Sequence, residues 1–240
     1  MSDVVLPHLL SRSFLFQDLT AGEMEEVLNA ARTRAVKRSE YYFHQGDPAT
    51  SLYVMLSGKA RISQITPNGD QVLLDYVAPG ALFGGVAFLG QADYPVSVQA
   101  VEDCRAAVWD GETMARLMEH YPRIAFQAMQ HMSNRIQELQ DRLRELSTER
   151  VERRIANTLL RLARQTGQKT PDGIRIDLAL SRQDIAEMSG TTLYTVSRTL
   201  SRWEEIGIVE SGRERVLIRS PHGLVAIAQD LPASEGDSNL

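Results

Sequence analysis

The order of apolar and polar positions divides the chain into a helical start, a β-rich part and a helical remainder. Residues 6–36 carry apolar side chains at helical spacing, and Thr20 with Glu23 three residues later predicts a capped helix. Residues 36–110 alternate in short runs that are broken by turn residues. This pattern predicts short antiparallel strands folded into a small barrel or roll.

The β-rich part carries one strong hairpin signal and no catalytic set. Asn68 and Gly69 predict a type I′ turn, because both central positions of that turn need a positive φ. We find no pair of carboxylates, no Ser/His/Asp set and no phosphate-loop motif in this part of the sequence. We therefore do not expect an enzyme, and a domain of this kind either holds a ligand or simply packs.

Residues 112–147 predict a long central helix with a narrow apolar seam at alternating steps of four and three. Such a heptad seam usually meets a partner helix, often its own copy in a symmetric dimer. The alternative is a long helix lying on the barrel, but the narrow seam and the polar remaining faces favour the dimer. The seam consists of Ala125, Met129, Met132, Ile136, Leu139, Leu143 and Leu146.

Residues 148–220 predict a separate module, which opens with an amphipathic helix from Val151. We predict a loop at 167–173 and a short strand at 174–178. Near its end, residues 206–209 and 216–218 predict two strands joined by a hairpin with cations at its tip.

Arg213 and Arg215 at that tip are candidates for contact with phosphate, although a solvated turn explains them equally well. Residues 221–240 follow as a C-terminal tail, and its end, PASEGDSNL, is polar enough to predict disorder.

The stretch SRQDIAEMSGTTLYTVSRTLSRW is typical of a helix-turn-helix. Ser181 and Asp184 have capping-box spacing, which predicts the start of the first helix. Gly190 suits the turn because it has no Cβ. Val196 and Leu200, four residues apart, predict the inward side of the second helix.

The outer face of the second helix carries hydrogen-bonding groups and cations, which are suited to base edges and phosphates. The alternative is an ordinary helical hairpin with a solvated polar face. With the flanking positions included, the candidate DNA-binding residues are Arg182, Thr192, Tyr194, Thr195, Ser197, Arg198, Arg202, Arg213 and Arg215.

Charge and composition support a DNA-binding module attached to a separate regulatory domain. The net charge is −5, yet residues 150–220 carry +4 and the remainder carries −9. The lone Cys104 excludes an internal disulfide and a cysteine-ligated iron–sulfur cluster from one chain. No run is long enough for a membrane helix and the start does not suit a signal peptide, so we expect a cytoplasmic protein.

The whole order resembles the Crp/Fnr family of bacterial transcription regulators (catabolite activator protein and the fumarate–nitrate reduction regulator). The matching motifs are GDPATSLYVMLSGKARI, PGALFGG, RIANTLLRLARQ and IAEMSGTTLYTVSRTL. The resemblance implies an α+β fold: an N-terminal antiparallel β-roll like a cyclic-nucleotide-binding jelly roll, a long central dimerisation helix and a C-terminal winged helix-turn-helix. It also implies a homodimer in which an effector reorients the DNA-binding modules, with RNA polymerase as a further partner.

The resemblance assigns roles to some residues of the second helix and leaves others open. Arg198 matches the family's guanine-contacting arginine, and Ser197 matches a serine of the Fnr-like branch. Tyr194 stands where the family usually has a glutamate, so the usual half-site is not expected here. Arg182 is expected to hold the DNA backbone near the start of the first helix.

The effector region departs from the cyclic-nucleotide binders. Residues 84–86 read Gly-Gly-Val where those proteins carry Gly-Glu-Leu, and 93–96 lack their Arg-Ser. A bound cyclic phosphate would lack its counter-charge, so we exclude cyclic AMP as effector. By the same resemblance, the candidate pocket residues are Phe83, Gly84, Gly85, Tyr94, Leu139 and Gln140.

Two effector hypotheses remain. Haem with a diatomic gas is one, because TTLYTVSR is similar to nitrogen-oxide-responsive members of the family. Each candidate histidine is more often a surface or packing residue than an axial ligand. The other hypothesis is a small apolar or organic ligand, or no ligand. The candidate haem ligands are His8, His44, His120 and His131.

The sequence therefore predicts a homodimeric regulator that binds a two-fold-symmetric site on double-stranded DNA. The alternative is a ligand-binding regulatory subunit whose C-terminal module binds protein. The predicted parts are an effector domain at 1–111, a dimerisation helix at 112–147, a DNA-binding domain at 148–220 and a tail at 221–240.

Overall fold

The computed structural model describes Leu10, residues 13–85, Ala87 and residues 93–230. The chain forms two compact units, Met1–Glu138 and Leu139–Leu240. The described part of the first unit is an antiparallel β-domain with helices before and after it. The second unit is a helical module with a small sheet. Together they confirm the predicted α+β class.

The elements of the first unit follow the predicted order of helix, strands and helix. Its strands are β1 (Arg32–Val36), β2 (Tyr41–Phe43), β3 (Ser51–Ser57), β4 (Ala60–Ile65), β5 (Gln71–Val77), β6 (Leu82–Phe83), β7 (Ser97–Ala100) and β8 (Cys104–Asp110). Its helices are α1 (Ala21–Asn29), α2 (Gly111–His120) and α3 (Pro122–Thr148), the last of which continues into the second unit.

Within the described strands, two antiparallel sheets form, in the orders β1-β8-β3-β6 and β2-β7-β4-β5. Their inner faces bury Tyr53 and Val98, each at most 3% exposed. A second cluster lies under α1, where the Trp109 indole packs against Phe16 and donates a 2.9 Å hydrogen bond to the Val27 carbonyl. The first unit thus has two apolar clusters, one between the sheets and one beneath its helices.

Of two local predictions in this unit, one is confirmed and the other is wrong. Thr20 and Glu23 form the predicted capping box of α1. The hairpin between β4 and β5 is present, but Gly69 has φ 88° whereas Asn68 has no positive φ. The predicted type I′ turn is therefore wrong, because Pro67 holds a negative φ at the second position and favours a type I turn.

The helical segment predicted at 6–36 extends too far toward its C-terminal end. The central helix predicted at 112–147 is divided into two helices. Residues 32–36 form β1 and pair with β8, because the edge of the β8 strand offers backbone partners that a sequence pattern does not show. The helix expected at 112–147 breaks at Tyr121, and α3 begins at Pro122. Proline suits the first position of a helix, where its missing N–H costs nothing.

The second unit consists of the helix-turn-helix, two flanking helices, the end of α3 and a small sheet. Its further helices are α4 (Val151–Thr166), α5 (Arg182–Ser189), α6 (Leu193–Glu205) and α7 (Pro221–Ala228). Its strands are β9 (Gly167–Thr170), β10 (Gly173–Ile176), β11 (Val209–Gly212) and β12 (Arg215–Ile218), in the sheet order β11-β12-β10-β9.

Three predictions in this unit need correction. Residues 167–173 are not a loop, since β9 pairs with β10. Residues 206–208 turn instead of forming a strand, with Gly207 at φ 72°. The predicted tail at 221–240 begins with the helix α7, whose Ala228 carbonyl accepts a hydrogen bond from Arg153 on α4. Packing of its apolar side against α4 makes this short segment helical.

Candidate nucleic-acid interface

Local capping interactions hold the turn between α5 and α6. The Ser181 hydroxyl accepts from the Asp184 N–H, and the Asp184 carboxylate accepts from the Ser181 N–H. Gly190 ends α5 in the left-handed region, and the Thr192 hydroxyl accepts from the Thr195 N–H to begin α6. The predicted capping box of α5 is confirmed, and these caps satisfy part of the backbone groups that the two helix ends leave unpaired.

The buried side of the helix pair determines which face points outward. Ile185 and Ala186 on α5 and Val196, Leu200 and Trp203 on α6 are at most 2% exposed. Since a helix repeats every 3.6 residues, burial of these positions leaves the opposite stripe of α6 in solvent. The inward positions predicted for Val196 and Leu200 are confirmed.

The solvent face of α6 brings an aromatic ring and a guanidinium together. Tyr194 is 74% exposed, and the Arg198 guanidinium carbon lies 6.0 Å from the centre of its ring. Thr195 and Ser197 are half-buried beside them. Leu193, which the sequence analysis did not select, is 48% exposed at the first position of the helix. An apolar side chain gives no signal for a helix face that forms hydrogen bonds with base edges.

Two predicted DNA-binding cations already have partners within the module. Arg182 donates a 3.1 Å hydrogen bond to the Ser211 hydroxyl and so joins α5 to β11. Arg202 forms a 3.2 Å ion pair with Glu152, and both side chains are largely exposed. An exposed ion pair of this kind is weak, so Glu152 holds the Arg202 side chain only loosely.

Two arginines at the β11–β12 hairpin bind the carboxylate of Glu210. Glu210 pairs with Arg215 at 2.9 Å and accepts from the Arg219 Nε at 3.0 Å. These hydrogen bonds, with that from Arg219 the largest cause, lower the pKa of the Glu210 carboxyl. Arg213 and Glu214 form the two-residue tip, and in the described part of the chain Arg213 has no ion pair or hydrogen bond. Arg213 is the better placed of the two predicted phosphate contacts.

Arg154 on α4 ties together the backbone around the helix-turn-helix. Its Nε donates to the Ser189 carbonyl and its Nη2 to the Gly190 carbonyl, both at 3.0 Å. Its Nη1 lies 3.4 Å from the Glu149 carbonyl oxygen and 3.5 Å from that of Leu146. Sequence reasoning missed this residue, because an arginine on the polar side of an amphipathic helix looks like a solvated one.

The predicted dimerisation seam is exposed along α3. In the first unit Met129, Met132 and Ile136 are 49–61% exposed. In the second unit Leu139, Leu143 and Leu146 are 43–67% exposed, and Gln140 is exposed beside them. Large apolar side chains thus form one stripe along an exposed helix face, as the heptad spacing predicts.

The predicted effector residues of the first unit lie in or beside an aromatic core. The Tyr94 ring stacks on Phe43 at 3.6 Å, and its hydroxyl donates to the Ser51 carbonyl at 2.6 Å. Burial raises the pKa of the Tyr94 phenol to about 12. A Cβ on Gly84, whose φ is 74°, would come within 2.9 Å of the Ser51 carbonyl oxygen. The predicted residues are Phe83 and Tyr94, which are buried, and Gly84 and Gly85, which are half-buried.

The candidate haem ligands each lie beside an aromatic ring where the structure describes them. His44 stacks on Tyr41, and His120 and His131 contact Tyr121 and Phe14. His8 lies outside the described residues. The part of the chain that the structure describes holds no cluster of three or more metal-binding side chains. The haem hypothesis stays a prediction.

Burial raises the pKa of the Cys104 thiol to about 11, so this cysteine is an inert core residue. No helix among the described residues is long and apolar enough to cross a membrane.

Comparison with known families supports both halves of this architecture. Residues 33–121 match the cyclic nucleotide-binding domain, and residues 153–227 match the Crp-like helix-turn-helix domain. The second match ends at residue 227, one residue before the end of α7, so this helix belongs to the matched helix-turn-helix domain.

The relatives are transcription regulators rather than enzymes. The chain is 30% identical to the cyclic AMP receptor protein of Thermus thermophilus over 89% of this chain and 96% of that protein. It is 29% identical to the transcriptional activator protein Anr of Pseudomonas aeruginosa over 92% of this chain and 89% of that protein. The c-di-GMP-responsive regulator CLP of Xanthomonas campestris shares the fold, with a TM-score of 0.70 at 23% identity over 84% of this chain and all of that chain.

Proposed function

We propose that this chain, which belongs to the Crp/Fnr family of DNA-binding transcription regulators, is a homodimer that binds a two-fold-symmetric DNA site. Its β-domain responds to an effector other than cyclic AMP, and RNA polymerase is its protein partner at promoters. The observation that carries the proposal is the solvent-exposed face of α6, which presents Arg198 beside Tyr194. A protein that reads DNA works where bacterial DNA lies, so we expect it in the cytoplasm.

The geometry of the module suits insertion of α6 into the major groove. A recognition helix contacts base edges with its first turns, and those turns carry Tyr194, Thr195 and Arg198. Arginine bonds to O6 and N7 of guanine with two N–H groups, which makes Arg198 the base-reading cation. Arg213 at the hairpin tip is positioned to bind a phosphate beside the groove. Arg202 can do the same, because its ion pair with Glu152 is exposed and weak.

Replacement of Arg198 tests the proposed function. Arg198→Ala is expected to weaken binding to the preferred duplex by about 1–3 kcal/mol and to relax specificity at one base pair. The loss follows from the missing bidentate bond to guanine. The measurement is the dissociation constant, by fluorescence anisotropy, for the preferred duplex and for a random duplex of equal length.

Arg164→Ala is the matched control, because it removes an exposed cation of the same module at the end of α4. It is expected to weaken both duplexes equally and slightly. Equal losses on both duplexes for Arg198→Ala would contradict the base-reading role. DNA binding that does not depend on salt would instead support the alternative, a module that binds protein.

The exposed seam on α3 supports the dimer. Family members act as dimers, and a two-fold dimer places two recognition helices about one helical turn of DNA apart. The seam's narrow stripe suits a second copy of the same helix, because identical heptads interdigitate across a two-fold axis.

Cyclic AMP is expected to leave DNA affinity and thermal stability unchanged at saturating concentration. Residues 93–96 supply Asp, Tyr, Pro and Val, so the cyclic phosphate would meet a carboxylate in place of a counter-charge. The measurements are calorimetric titration with cyclic AMP and anisotropy with the preferred duplex. Heat of binding together with a tighter complex would show that another part of the domain supplies the missing cation.

A further inference from the structure

We propose that Leu193 and Tyr194 form an apolar reading surface for thymine methyl groups next to the guanine that Arg198 reads. This inference rests on the proposed function and specifies the DNA sequence that the module takes. Its central residue is Leu193, whose side chain cannot form hydrogen bonds with base edges.

Leu193 and Tyr194 form an adjacent pair of large exposed side chains at the start of α6. Leu193 is 48% and Tyr194 is 74% exposed, at the first and second positions of α6. The apolar residues on the other side of the same helix, such as Val196, Leu200 and Trp203, are almost fully buried. Leu193 therefore has apolar surface left over after the module's own core is complete, and it lies where a recognition helix meets base edges.

The chemistry of the major groove restricts what this surface recognises. Leucine neither donates nor accepts a hydrogen bond, so it cannot distinguish the polar groups of the bases. Among the four bases only thymine presents an apolar group in the major groove, the C5-methyl. Contact with a methyl group is thus the sequence-specific contact that Leu193 can make.

Tyr194 links this surface to the guanine contact. Its ring lies 6.0 Å from the Arg198 guanidinium carbon, one helical turn away, so the cation and the apolar surface are neighbours on one face. The weak attraction between the cation and the ring favours an Arg198 side chain that lies beside Tyr194. We therefore assign thymines to the positions that flank the guanine in each half-site.

The test removes methyl groups from the DNA. The preferred site is first selected from random duplexes, and each thymine of both half-sites is then replaced in turn by deoxyuridine, which lacks only the methyl. For the unmodified protein we expect about a four-fold loss per contacted methyl, hence about 16-fold for a symmetric pair of replacements. In Leu193→Ala and Tyr194→Ala the loss at the corresponding position is expected to disappear.

Ile206→Ala is the matched control, because Ile206 is an exposed apolar residue at the C-cap of α6, the end opposite Leu193. It is expected to keep the full thymine-to-deoxyuridine loss. Equal affinity for thymine and deoxyuridine duplexes would overturn the inference, and so would a methyl dependence that survives in both alanine variants. The proposed function would remain in either case if Arg198→Ala still relaxed specificity, and it would fail separately if no sequence were selected.

Discussion

An Ile136→Glu variant is expected to be monomeric and to bind the two-half-site duplex at least about 100-fold more weakly than the unmodified protein. Ile136 lies mid-seam on α3 and is 55% exposed in the single chain. In a two-fold dimer the new carboxylates would be buried close together in the apolar interface, where neither solvent nor a cation compensates them. The dimer would dissociate, and each half-site would then be bound without the benefit of the other.

Sedimentation equilibrium and anisotropy on one-half-site and two-half-site duplexes measure this effect. Gln137→Glu is the control, since it adds the same charge at the next position of α3, off the seam. It is expected to stay dimeric and to keep its DNA affinity. A dimeric Ile136→Glu protein would show that α3 does not pair through this face, which would favour a helix covered by another part of the molecule.

An Arg154→Ala variant is expected to lower the free energy of opening of the helix-turn-helix by about 3 kcal/mol. The guanidinium donates to the carbonyls of Ser189 and Gly190 at the end of α5, and to those of Leu146 and Glu149 near the joint between α3 and α4. Bonds from a charged donor are the strong ones, and their removal leaves helix-end carbonyls without a partner.

Hydrogen exchange of the α5 amides in the full chain measures that change locally. Exchange there is expected to be about 100-fold faster in Arg154→Ala. Arg154→Lys keeps the charge but not the planar fork, so it should restore only part of the protection. Arg150→Ala, at a neighbouring exposed residue whose side chain makes no capping bond, should exchange like the unmodified protein. Unchanged exchange in Arg154→Ala would show that other contacts hold the turn.

Features that depend only on nearby residues were predictable from the amino-acid sequence. The capping boxes at Thr20 and Ser181, the turn at Gly190 and the inward side of α6 all follow from groups at most a few positions apart. Hydrogen bonds at helix ends and a 3.6-residue repeat are local physics, so a pattern of residue types is enough to predict them. The exposed seam of α3 was predictable for the same reason.

Features that depend on residues distant in the chain became visible only in the folded protein. The strands β1 and β9 were expected as helix or loop, yet each pairs with a strand that offers its edge. The helix α7 forms where a tail was predicted, because α4 covers its apolar side. Arg154 looked solvated until folding placed the Ser189 and Gly190 carbonyls within its reach. Pairing, burial and long-range hydrogen bonds join residues far apart in the chain, and neighbouring residue types do not record which of them will meet.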